Sequence, residues 1–172
     1  ANAGLKAIEW KEKKKQAVGS GDYFKVAMDF YLTAAFIPRA DTSARSAMAM
    51  RSDSAFAKAI QINDKWPPFY INRARANNFI DYGTKGLSTP YYEKFIATVE
   101  TLRAEKNTQY KEDKNQLFEA YKALGGHHLM FTKDEAKVKE YFLKAQEIKP
   151  DDPDIKEYFN PSAAAPASAP KK

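Results

Sequence analysis

Cysteine is absent from the 172 residues. Disulfide frameworks, thiolate metal sites and cysteine nucleophiles are excluded together. Histidine is nearly absent, His127 and His128 being the only two. Adjacent helical residues point about 100° apart, so this pair does not chelate an ion as i, i+4 partners would, and no metal is expected. Glycine is sparse, at 7 residues. Gly19 and Gly21 lack both the preceding strand and the following Lys-Ser/Thr of a phosphate-binding loop, and read as a helix-breaking linker. With no Gly-x-Ser-x-Gly elbow either, the chain is expected to be no enzyme and to need no cofactor. Long apolar runs are missing too: uncharged stretches of the folded part, such as that between Asp29 and Arg39, fall far short of the ~20 residues a membrane span needs. No β-branched run alternates with polar residues between turns, which removes the strand signal.

What remains is rich in the material of a packed core. Hydrophobic residues make up 44% and aromatics 13%, too much for a disordered chain. The net charge of +6 is carried by the ends. Residues 1–20 hold five Lys against two acids, residues 160–172 add two Lys, and 21–159 are nearly neutral. Lys11, Lys13, Lys14 and Lys15 form the best polyanion candidate, but only Trp10 stands near them, and a solvated helix face is the simpler reading. Asp151, Asp152 and Asp154 beside Pro153 read as a helix start rather than a cation site. The chain begins at Ala1 rather than Met, as a fragment or a processed form would.

Helical periodicity predicts helices over 5–18, 23–37, 42–62, 67–80, 90–103, 116–130, 133–148 and 153–159, with Asp22 and Asp152 as caps and Pro67 and Pro153 in first turns. Asn160 to Lys172, with Pro161, Pro166 and Pro170 among alanines, reads as a disordered tail.

Three helices share a pattern: Ala55-Phe56-Ala57-Lys58-Ala59, Tyr91-Tyr92-Glu93-Lys94-Phe95 and Tyr141-Phe142-Leu143-Lys144-Ala145. Upstream, Tyr23, Val26 and Ala27 match Tyr121, Leu124 and Gly125. The last unit, with Tyr121, Leu124, Gly125 and His128 followed by Val138, Phe142, Ala145 and Pro150, resembles a tetratricopeptide repeat (TPR). Small residues there let two helices approach, and large ones fill the gaps between hairpins. Trp66-Pro67, Arg73-Ala74-Arg75-Ala76-Asn77, Gly86-Leu87 and Pro90 to Phe95 are similar to TPR proteins of Bacteroidetes bacteria.

The resemblance implies an all-α, right-handed superhelix of three antiparallel helix hairpins. Residues 1–20 would form a flanking amino-terminal helix, readable as the end of a preceding repeat. Hairpins would span about 21–66, 67–110 and 111–150, with a capping helix at 151–159. It further implies a non-catalytic scaffold whose concave groove, lined by Phe24, Met28, Tyr31, Ile71, Arg75, Asn78, Lys122 and Leu129, takes an unknown protein or peptide. Such proteins are often exported, which points to the periplasm or cell envelope over the cytoplasm. The carboxylate clamp of chaperone-binding TPRs would fall on Phe24, Met28, Asn72, Glu119 and Ala123, of which only Asn72 fits. Two other readings stay open: polyanion binding through the lysine run, which the charge distribution disfavours, and an accessory domain of a larger enzyme.

Overall fold

A computed structural model of the chain describes residues 2–161. Among them there is no strand. The helices are α1 (Asn2–Lys13), α2 (Ser20–Phe36), α3 (Thr42–Ile62), α4 (Pro67–Asp81), α5 (Thr89–Ala104), α6 (Lys114–His127), α7 (Glu135–Ile148) and α8 (Pro153–Phe159), with a π-helical segment, His128–Thr132, after α6. They divide into two compact units, Ala1–Glu112 and Asp113–Lys172. The proline-rich stretch from residue 162 onward lies outside the described residues.

Aspartates start four of these helices. Asp41, Asp113, Asp134 and Asp152 each accept a backbone N–H from the first turn they precede, at Ala44, Gln116, Lys137 and Ile155. Pro67, Pro90 and Pro153 occupy first turns, where a missing N–H costs no hydrogen bond. Asp22 is the third residue of α2 rather than its cap: Gly19 precedes the helix, and Asp22 reaches back to accept the Gly19 N–H at 2.9 Å.

The first helix stops at Lys13 instead of running to residue 18. Lys15 turns left-handed (φ 53°), its N–H donates to the Glu12 carbonyl, and the Gln16 N–H donates to the Lys11 carbonyl. This pair of bonds closes a helix end that usually carries glycine. α5 ends in the same way on Lys106 (φ 51°).

In the first unit, α1 packs on α2, and each of α2 to α5 packs on its neighbour in sequence. The first helices of successive hairpins, α2 and α4, also touch. Val26, Ala27, Phe30, Ala55, Phe56 and Ala76 form the core, which Ile8 of α1 joins. Ala27 is small enough for the Ser52 hydroxyl of α3 to donate to its carbonyl at 2.8 Å. Arg45 is buried, yet its Nε donates to the Ala34 carbonyl and its guanidinium lies 4.6 Å from the Phe79 ring centre.

A second polar knot joins three helices. Asp53 of α3 accepts from Arg73 Nε (2.7 Å) and Arg73 Nη2 (3.2 Å), and from Asn77 Nδ2 (2.6 Å), both on α4. The Arg73 guanidinium then lies 4.3 Å from the ring centre of Tyr91 on α5. Beyond α4, one buried carboxylate organises the loop. Asp81 accepts the N–H groups of Gly83, Lys85 and Leu87 at 2.9, 3.0 and 3.0 Å. That wrap requires left-handed backbone at Tyr82, Gly83 and Gly86.

The second unit is the α6–α7 hairpin with α8 against α7. Ala120, Leu124, Val138, Ala145 and Ile155 are its most buried side chains, and the Phe142 ring lies directly on Gly125. The sequence predicts one helix through Met130, but α6 ends at His127 and widens into the π turn. Within that turn His128 Nδ1 and Thr132 Oγ1 share a hydrogen bond of 2.8 Å. Lys133, left-handed at φ 56°, closes the turn by donating its N–H to the His128 carbonyl.

Candidate peptide-binding surface

The groove positions fall on two helices of the first unit and on the α6–π stretch of the second. Phe24, Met28 and Tyr31 repeat at i, i+4, i+7 along α2, and Ile71, Arg75 and Asn78 do the same along α4. This spacing puts each trio on one helix face. Their environments differ.

Phe24 sits between the rings of Phe56 and Phe69, with centroids 5.9 and 5.4 Å away, so its main contacts are with the core. Ile71 is 0% exposed and presents nothing to a partner; its place among the groove residues is corrected to the core. Helical spacing aligns Ile71 with Arg75 and Asn78, but exposure depends on what packs over each position, and α4 lies against α2, α3 and α5. Met28, Tyr31, Arg75 and Asn78 are half-buried. Tyr31 stacks on Phe79 at 5.5 Å, Arg75 Nη1 donates to Asn72 Oδ1 at 3.1 Å, and Asn78 Nδ2 donates to the Tyr92 hydroxyl at 3.1 Å. Tyr31, Arg75 and Asn78 are thus each held by a neighbour and keep part of their surface in water. Asn72, the one match to a carboxylate clamp, is buried and donates to the Pro68 carbonyl of its own helix.

In the second unit, Leu129 lies in the π turn, exposed beside Met130 and Phe131. Lys122 is committed to ion pairs with Asp152 (2.9 Å) and Asp154 (2.7 Å), which tie α6 to the start of α8. Burial pulls the Lys122 ammonium down, but its bonds to Asp152 and Asp154 outweigh this and hold its pKa above the ordinary value. Burial pushes the Asp152 carboxyl up, and the Lys122 and Ile155 donors more than reverse it, leaving its pKa below the ordinary value.

The signs give a pH window. The Asp152 contribution is fully present above the unfolded carboxyl value of about 3.9 and is lost as pH falls through the lowered folded value. The Lys122 contribution is fully present below the unfolded value of about 10.4 and is lost as pH rises through the raised folded value. In Lys122→Ala, Asp152 is expected to titrate at higher pH than in the native chain, followed by its carboxyl carbon resonance. An unchanged midpoint would show that the pair does not hold α8.

Elsewhere, the lysine run is already depleted. Lys11 reaches Asp22 with both carboxylate oxygens at 2.7 and 2.8 Å, and this bond, with that from the Gly19 N–H, lowers the Asp22 pKa. His128 is buried, its ring parallel to that of Tyr141 at 5.7 Å, and His127 lies against Phe131 at 5.1 Å. No group of three or more His, Asp or Glu side chains among the described residues could hold a metal ion. None of the described helices is long and apolar enough to cross a membrane.

Sequence reasoning missed Asp53. Its partners Arg73 and Asn77, and the Tyr91 ring that Arg73 meets, stand in the segments that carry the resemblance, but an acid twenty residues upstream of Arg73 has no local signal.

No protein-family model and no curated protein matches the chain. Among solved structures, the C-terminal part of a TPR repeat-containing protein from Cytophaga hutchinsonii, a member of the Bacteroidetes, is similar at a TM-score of 0.61 and 21% sequence identity. The match covers 90% of this chain and 53% of the other, so the chain spans about half the length of that structure. In fold, then, the chain is an all-helical repeat like that TPR protein.

Proposed function

We propose that the chain is a non-catalytic scaffold that binds a protein or peptide on the face formed by α2 and α4. The observation that carries the reading is the set of half-buried residues Met28, Tyr31, Arg75 and Asn78 on two touching helices. Aromatic, thioether, guanidinium and amide groups together suit a peptide, and aromatic and Arg side chains dominate binding energy where they are well packed. Three of the four are already positioned by neighbours, through the Tyr31–Phe79 stack and the Arg75–Asn72 and Asn78–Tyr92 bonds. Such side chains lose less freedom on binding than unsupported ones. Fold-level likeness to a TPR protein favours the same reading as an analogy. In the second unit, taken by itself, Leu129 is exposed at the π turn.

The test is in-cell crosslinking of the native protein followed by mass spectrometry. The double variant Tyr31→Ala/Arg75→Ala is expected to lose specific crosslinked partners while keeping a native helical spectrum. A variant that folds and retains every partner overturns the reading.

A further inference from the structure

A different face of the first unit carries a cleft of about 320 Å³ between α1, α2 and α3. It lies at the low end of the ~300–1,000 Å³ typical of ligand clefts. Leu5 forms one wall, and Val26, Phe30 and Ala55, all buried, form the floor. Along α3 the lining residues are Arg51, Ser54, Ala55 and Lys58, an i, i+3, i+4, i+7 stripe on one helix face. The two cations stand at its ends, roughly 10 Å apart along the axis at about 1.5 Å per residue.

The charge at this cleft is one-signed. No acid lines it, and neither cation has an acidic partner among the described residues. Both are steadied instead by aromatic faces: Arg51 is 5.7 Å from the Phe30 ring centre and Lys58 is 5.3 Å from that of Tyr23. Their stems cover apolar surface while their heads stay at the rim.

We propose that this cleft is a second interaction surface, and that it takes an acidic amphipathic helix of a partner protein. Apolar side chains at i+3 and i+4 of the partner seat on Val26, Phe30 and Ala55, and carboxylates at i and i+7 meet Arg51 and Lys58. Charge complementarity and the matching spacing select this occupant. The surface is separate from the α2/α4 face, and the proposal does not depend on it.

The experiment uses a fluorescent synthetic peptide of about 20 residues, long enough to be marginally helical. It repeats Glu-x-x-Leu-Leu-x-x-Glu in an alanine background, and a control carries Lys for Glu. Anisotropy is expected to show binding of the acidic peptide to the full chain, weakened by salt. Arg51→Glu/Lys58→Glu should cut its affinity about tenfold or more and make the Lys control the better ligand. Arg51→Gln/Lys58→Gln should give a smaller loss, and Tyr31→Ala/Arg75→Ala no loss. Absence of binding, equal binding of the two peptides, or insensitivity to the Arg51 and Lys58 variants overturns the proposal. It also falls if Tyr31→Ala/Arg75→Ala abolishes binding. Sedimentation that shows self-association removed by Arg51→Glu/Lys58→Glu would assign the cleft to a second copy, and competition by oleate but not by the peptide would assign it to a small amphiphile; both overturn it.

Discussion

Replacing Gly125 by valine is expected to abolish the native packing of α6 on α7. The Phe142 ring occupies the space into which a β-carbon at Gly125 would project, so even alanine forces the ring or the helix to move. Two effects compete in Gly125→Ala. Removing a helical glycine stabilises by up to about 1 kcal/mol, whereas overpacking a core costs about 1–3 kcal/mol. The net expectation is a loss, and valine's further methyl groups enlarge it. Gly126 provides the control one residue away. A β-carbon there meets nothing within 4 Å, so Gly126→Ala is expected to stabilise by up to ~1 kcal/mol. Urea denaturation of the three variants measures both signs. Phe142→Leu should recover part of the Gly125→Ala loss, with a coupling of about 0.5 kcal/mol or more. Equal behaviour of the two glycine positions would show that the contact does not matter.

Asp53→Ala is expected to be the second most damaging substitution. It removes the acceptor for Arg73 and for Asn77 at once, and both donors are largely withdrawn from water. Truncating one partner of such a pair leaves the other charge under-compensated, and about 2–4 kcal/mol is a reasonable loss for a site that is only partly buried. The damage should spread to α5, because the bonds to Asp53 also aim Arg73 at the Tyr91 ring. Arg73→Lys is expected to be harmful as well, since an ammonium replaces neither the two-pronged bond nor the flat contact with the ring. Denaturation midpoints test both variants. Amide exchange in α5 that is unchanged in Asp53→Ala would refute the coupling.

Much of this architecture is legible along the chain. Helix starts follow from Asp and Pro at fixed offsets, and the Leu124-Gly125 and Phe142 positions foretell the hairpin contact. Helix ends are less readable. Lys15, Lys106 and Lys133 adopt the left-handed turn that glycine usually signals, so α1 appears longer in sequence than it is. The π turn after α6 carries a bond between His128 and Thr132 that no periodicity reveals.

The candidate surfaces divide along the same line. Helical spacing places Ile71 with Arg75 and Asn78, and that alignment holds; exposure is another matter. Whether a residue on that face meets water is set by the helices packed against α4, through contacts between residues far apart in sequence. The same is true of Arg51 and Lys58, whose seven-residue spacing is plain but whose common cleft appears only when α1 and α2 wall it. The sequence alone determined the helical class, the repeat and most helix starts, because these rest on interactions within a few residues. Burial, ion-pair partners and clefts were decided by tertiary structure, because they depend on which distant surfaces exclude water from one another.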